Sequence, residues 1–146
     1  MNNTYQHKVQ YYETDQMGIV HHSNYVRWME EARVEFLSRL GWEYRKMEEL
    51  GVVSPVTAIE GKYKRSAKFD DTVTVSVFVT EFRGVRLCLR YEVHDSAGAL
   101  LFVGKSEHCF MDSEGNILNM KKAYPDFYAA LAAQLEAPRE LVRSGK

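Results

Sequence analysis

The chain reads as an α+β protein in which one long helix lies against a single curved antiparallel sheet. Three observations predict this. One helical face runs unbroken over residues 25–40, three strand-like runs of alternating character follow one another between residues 73 and 111, and short turns that open with Asp and close with Gly stand at 15–18, 95–98 and 112–115. A long amphipathic helix and a run of half-covered strands must bury each other, and a helix laid on one sheet face is the simplest way to do so. The helix covers one face only, so apolar groups elsewhere point to an oligomer.

In chain order, residues 6–12 alternate loosely and predict a first strand. Asp15 and Gly18 then bracket a tight turn, and Ser23 and Asn24 offer side-chain oxygens to cap a helix. Tyr25, Trp28, Met29, Ala32, Phe36, Leu37 and Leu40 recur at spacings of three, four and seven, which is one helical face, while Glu35 and Arg39 form an i,i+4 pair and Gly41 ends the run. Residues 42–50 predict a second, shorter helix closed by Gly51. An extended stretch from 52 to about 65 carries Pro55, which suits a strand start, edge or bulge, and Gly61, which suits a bend or a close backbone approach. Strands are predicted over 73–79, 85–93 and 100–111. Tyr124-Pro125-Asp126 opens a C-terminal helix through 127–136, Pro138 stops it, and the tail from Arg139 is expected to fray.

At 146 residues one domain, 1–146 with its core at about 5–136, is the expectation. A hydrophobic fraction of 45% with 27% charged residues is ordinary for a globular chain, and a net charge of −1 gives no support for nucleic-acid binding. No run of about 18 apolar residues predicts a membrane span. The polar start Met1-Asn2-Asn3-Thr4 does not resemble a signal peptide, so a cytoplasmic location with Cys88 and Cys109 as free thiols is expected.

The stretch from Tyr11 to Tyr25 is where chemistry concentrates. Asp15 stands on a turn that delivers the backbone to the start of the long helix, where unpaired N–H groups and a partial positive charge gather. A carboxylate beside such a terminus suits acyl transfer: the N–H groups polarise a carbonyl and hold the oxyanion while the carboxylate attacks or activates water. The competing reading is that Asp15 only closes its turn, and spacing alone favours that one.

The run Thr14-Asp15-Gln16-Met17-Gly18-Ile19-Val20-His21-His22-Ser23-Asn24-Tyr25, with Arg27-Trp28-Met29-Glu30 after it, closely resembles the hotdog-fold acyl-CoA thioesterases of the 4-hydroxybenzoyl-CoA thioesterase-like branch. Ser54-Pro55, Ala67-Lys68-Phe69-Asp70-Asp71 and Phe82-Arg83-Gly84 also match, so the resemblance covers roughly residues 5–130. It implies a helix wrapped by a five-stranded antiparallel sheet, two protomers with joined sheets as a homodimer or dimer of dimers, and active sites at their interface. It implies Asp15 as nucleophile or general base, His22 in the helix-entry segment that polarises the thioester, and Glu30 and Ser54 near the reacting group. The substrate would be an acyl-CoA or acyl-carrier-protein thioester, with coenzyme A as part of the substrate and no separate cofactor or metal. Arg65, Arg83 and Arg86, near predicted strand ends, are candidates for the coenzyme A phosphates.

The chemistry is coherent: a thioester carbonyl has less resonance stabilisation than an amide and a good thiolate leaving group, so one carboxylate with preorganised donors suffices. Gly98 to Ser106 fails as a P-loop, because five residues separate its glycines and the stretch between them is apolar. His21 and His22, with Glu13 and Asp15 nearby, lack zinc-type spacing, His108 and Cys109 should point to opposite sheet faces, and no Gly-x-Ser-x-Gly elbow occurs. Two rival functions stay open: a dehydratase or hydratase on acyl thioesters, and a non-catalytic acyl-CoA-binding or regulatory module. The acyl group is left undetermined.

Overall fold

The computed structural model describes residues 3–135. Among them, strands β1 (Thr4–Lys8), β2 (Val56–Tyr63), β3 (Thr72–Phe82), β4 (Leu87–His94) and β5 (Leu100–His108) form one sheet in the order β1-β3-β4-β5-β2. Every neighbouring pair is antiparallel. Helix α1 (Ser23–Arg39) lies on one sheet face and buries Tyr25, Trp28, Met29, Ala32, Phe36 and Leu37, which is the face read from the sequence. Helices α2 (Tyr44–Glu49), α3 (Met120–Ala123) and α4 (Pro125–Ala132) close the far end of the core, where Phe127 and Leu131 are fully buried. This is the α+β class that the sequence pattern predicts and the hotdog arrangement that the family resemblance implies. The predicted stop at Pro138 and the tail from Arg139 lie outside the described residues.

Alternation explains the inner sheet face. In β3, Val73, Val75, Val77 and Val79 are buried, and in β4, Leu87, Leu89, Tyr91 and Val93 are. In β5 the inward set is Phe102, Gly104, Ser106 and His108. Gly104 pairs across the strands with Gly61, and the Phe102 ring lies over both. A Cβ on Gly61 would come within 2.6 Å of that ring, and one on Gly104 within 2.8 Å of the Met29 sulfur as well. The close approach expected at Gly61 is therefore that of an aromatic ring wedged between the sheet and α1.

Several boundaries differ from expectation, and four of them have a clear local reason. The first strand ends at Lys8 instead of running to residue 12. The Glu13 carboxylate accepts the Gln10 N–H at 2.8 Å and the Glu13 N–H returns to the Gln10 carbonyl at 3.0 Å, folding Tyr11–Glu13 into a 3-10 turn. Ser23 and Asn24 do not cap α1. His22 holds the cap position without a side-chain bond, the Ser23 hydroxyl pairs with His21 Nδ1, and Asn24 donates its amide to the Glu13 and His21 carbonyls. Helix α1 ends as predicted at Gly41 (φ +92°), with the Trp42 N–H on the Leu37 carbonyl and the Gly41 N–H on that of Ser38. That motif turns Trp42 into the core, so the second helix starts only at Tyr44. The C-terminal helix stops at Ala132, after a separate turn, α3, capped by the Asn119 side chain.

Candidate active site

Asp15 heads the turn the sequence predicts. Its carbonyl accepts the Gly18 N–H at 3.0 Å, its N–H reaches the Ile19 carbonyl at 2.8 Å, and Thr14 and Val20 bridge behind it. Gly18 takes the left-handed φ of +81° that such a turn needs at its last residue. Asp15 is partly exposed, and its Oδ1 accepts a single hydrogen bond, from the Met17 N–H at 2.8 Å. Among the described residues nothing donates to Oδ2.

This turn is stitched to the start of α1. The Val20 N–H donates to the Ala67 carbonyl at 2.9 Å, Ile19 bridges Lys68, and the Ala67 N–H donates to the Tyr25 hydroxyl at 3.0 Å. The His21 N–H donates to the Glu13 carbonyl at 2.9 Å. His22 is exposed at the helix mouth, its carbonyl accepts the Tyr63 hydroxyl at 3.2 Å, and its ring lies 4.2 Å from that of His21. No acceptor among the described residues takes the His22 N–H. The mouth of α1 thus combines an open N–H with a carboxylate held on an adjoining rigid turn.

Glu30 and Ser54 stand elsewhere. Both line a cavity of about 540 Å³ walled by the second half of α1, by α2 and by residues 51–55, with Leu37, Trp42, Met47 and Val52 as its apolar surface. Arg33 donates to Glu30 at 2.7 Å across one helical turn, its side chain is only 11% exposed, and its Nε finds no partner. The Ser54 hydroxyl is likewise buried without a partner. Asp15 and His22 do not line this cavity, so within one protomer the four predicted residues fall into two separate pairs.

Within one protomer the three arginines do not form one group. Antiparallel register places Tyr63 beside Phe102, so Arg65 sits at the end of the sheet that carries the mouth of α1. Arg83 and Arg86 belong to the β3–β4 hairpin at the opposite end, an eight-residue strand or about 26 Å away. Arg86 is moreover engaged, donating to Glu81 at 3.0 Å and to Glu107 at 3.3 Å.

Two buried polar networks were not foreseen from the sequence. Glu13, 4% exposed, accepts from the Gln10 N–H, from His7 Nε2 at 2.8 and 3.1 Å, and from the Trp28 indole at 2.9 Å. Burial pushes its carboxyl upward, but those donors outweigh burial and hold it below the usual carboxylate range. On the sheet, the Tyr91 hydroxyl, the Ser106 hydroxyl at 2.8 Å and His108 Nε2 at 2.7 Å form a chain beneath α1. Burial, with the nearby Arg33 charge, pushes the His108 imidazole down to about 3, so it is neutral at physiological pH. The period-two pattern placing Phe102 inward also places Ser106 and His108 inward, and that signal was readable. Among the described residues no cluster of three or more potential ligand side chains forms a metal site, and no helix is long and apolar enough to cross a membrane.

Comparison with known proteins agrees with this architecture. The model of the thioesterase-like superfamily matches residues 9–136. A putative acyl-CoA thioesterase of Bacillus subtilis is 37% identical over 124 residues, covering 84% of this chain and 90% of that one. A putative esterase of Aquifex aeolicus is 36% identical over 118 residues, 81% of this chain and 91% of that one. The crystal structure of a DHNA-CoA thioesterase from Staphylococcus aureus superposes with a TM-score of 0.86 at 30% identity, over 99% of this chain and 95% of that one. The chain belongs to the thioesterase-like superfamily, and its class is that of the thioester hydrolases.

Proposed function

We propose that the chain hydrolyses acyl-CoA thioesters, or the same acyl groups on a carrier protein, to free acid and thiol. Asp15 acts on the thioester carbonyl in one of two ways. It attacks the carbon, forming a mixed anhydride as the C–S bond breaks and the thiolate leaves, and water then cleaves the anhydride; or it takes a proton from the water that attacks. The His22 N–H and the positive end of α1 polarise the carbonyl and hold the oxyanion. The observation that carries this reading is the Asp15 carboxylate itself, which accepts one N–H on a turn anchored to the helix mouth and keeps its second oxygen open.

The working unit in this reading is a homodimer. Strand β2 is a sheet edge exposed at all eight positions, with Val56, Ile59 and Tyr63 presenting apolar surface. Such an edge is a template for pairing with a second chain. Two β2 strands pairing antiparallel about a two-fold axis near Ile59 and Glu60 set Val56 beside Tyr63 of the partner subunit. Ser54 and its cavity then face the partner's helix mouth, where the Tyr63 hydroxyl meets the His22 carbonyl. The pairs separated within one protomer become one site across two, with Arg65 of the partner subunit near it for a phosphate. A reducing cytoplasm suits the two free thiols, Cys88 and Cys109.

Thiol release from a panel of acyl-CoAs and an acyl carrier protein tests the activity. Mixed dimers test the shared site: Asp15→Asn and Ser54→Phe protomers, each inactive alone, should recover about a quarter of wild-type turnover when co-assembled, because half of random dimers carry one intact site. Activity confined to single protomers predicts no recovery.

A further inference from the structure

Glu13 lies two residues before Asp15, and the two carboxylates are used in opposite ways. Asp15 accepts one N–H and is partly exposed. Glu13 is buried and both its oxygens are occupied: Oε1 by the Gln10 N–H and His7 Nε2, Oε2 by the Trp28 indole and, at 3.1 Å, His7 Nε2 again. No lone pair faces outward, so Glu13 cannot serve as base or nucleophile. Its backbone carbonyl is also shared, by the His21 N–H at 2.9 Å and the Asn24 side-chain amide at 3.0 Å. One residue therefore closes the neck of the loop 14–22, where the segment carrying Asp15 leaves and the segment carrying His22 returns. The same residue ties that neck to the second turn of α1 through Trp28, and to β1 through His7. Around it, the His7 ring lies 5.1 Å from that of Trp28, and His7 Nδ1 faces Glu31 at 3.6 Å.

From this geometry we infer that Glu13 is a positioning residue for the reaction, its carboxylate locking the Asp15 turn at a set distance from the mouth of α1, with His7 as the partner that keeps the lock closed. This rests on the hydrolytic reading above. Buried carboxylates that accept several charge-assisted or neutral donors hold their surroundings tightly, because removing one partner strands the others in a dry environment. A shift of about 1 Å between Asp15 and the His22 N–H is enough to lower turnover about a hundredfold.

The test compares isosteric and conservative variants in acyl-CoA hydrolysis and in amide hydrogen exchange. Glu13→Gln keeps the side-chain size but directs an NH₂ group at donors. It should lower kcat ten- to a hundredfold with KM within about threefold, and speed exchange at Asp15, Met17, Gly18 and His21 at least tenfold while the β3–β5 amides stay protected. His7→Leu should reproduce the kcat loss, and His7→Gln, which still offers a donor to Glu13, should restore most of it. The His7 pair carries the test if Glu13→Gln does not fold. Folded Glu13→Gln with unchanged kcat, a loss carried only by KM, or equal behaviour of His7→Leu and His7→Gln would overturn the inference. If the wild type releases no thiol from any substrate, the hydrolytic reading fails instead. Loop exchange then decides the lock alone: a Glu13→Gln loop as protected as the wild type refutes it.

Discussion

Two turns in this molecule have the same backbone and opposite uses for their carboxylate. At Asp15 and at Asp112 the aspartate carbonyl accepts the N–H of a glycine three residues on, at 3.0 and 3.1 Å, and the aspartate N–H reaches the carbonyl of the residue after that glycine. Gly18 and Gly115 take left-handed φ values of +81° and +87°. The carboxylates then part company. Asp112 Oδ1 accepts the Glu114 and Asn116 N–H groups at 2.9 Å, and Oδ2 the Asn116 side-chain amide at 3.2 Å. Asp15 has only the Met17 N–H. The cause lies in the fifth residue: Asn116 turns its own donors onto Asp112, whereas Ile19 offers no side-chain donor and is drawn into a bridge with Lys68. A turn of this kind closes without help from the second carboxylate oxygen. Whether that oxygen is satisfied or left available is decided by its neighbours.

The largest break in the comparison is removal of each charge. Asp15→Asn should lower kcat by about a hundredfold or more with the fold intact by circular dichroism, while Asp112→Asn stays within about twofold in the same thiol-release assay. Next comes conversion of one turn toward the other. Ile19→Asn supplies the donor that Asn116 supplies, and should reduce kcat about tenfold with little change in KM. Asn116→Ile, which frees Asp112, should create no activity. A smaller effect is common to both turns. Gly18→Ala and Gly115→Ala meet no steric obstacle within 4 Å, so each should cost about 1 kcal/mol of stability in denaturant titration through backbone strain alone, and only Gly18→Ala should also alter kcat. The smallest is an acid effect. Backbone hydrogen bonding from Asn116 holds the Asp112 carboxyl below its ordinary value, so its contribution is complete above the unfolded value near 4 and is lost as pH falls through the lower folded one. Melting temperatures between pH 5 and 2 should therefore decline slightly less steeply in Asp112→Asn than in the wild type.

Local chemistry made much of this legible. The stripe from Tyr25 to Leu37 could bury only as one helix, the alternating valines only as half-covered strands, and the three Asp-to-Gly tetrads only as turns. What escaped depended on partners distant in sequence. Ser23 looks like a cap until His21 claims it, and residues 11–13 look like strand until Glu13 folds back on Gln10. Arg65, Arg83 and Arg86 look like neighbours in a list of strand ends, but antiparallel register sends one to the far end of the sheet. Glu13 received no structural role from the sequence because nothing local announces that His7 and Trp28 converge on it.

The sequence by itself determined which segments become helix, strand and turn, because periodicity and turn chemistry act over a few residues and each such choice is made against water. It also carried the motif that identifies the family. Only the tertiary structure decided which carboxylate is sealed and which stays open, and which candidate residues share an end of the molecule. Those outcomes depend on hydrogen bonds between residues as distant in the chain as Val20 and Ala67 and on the pairing order of five strands. Burial and long-range register, unlike helical phase, are properties of the folded whole.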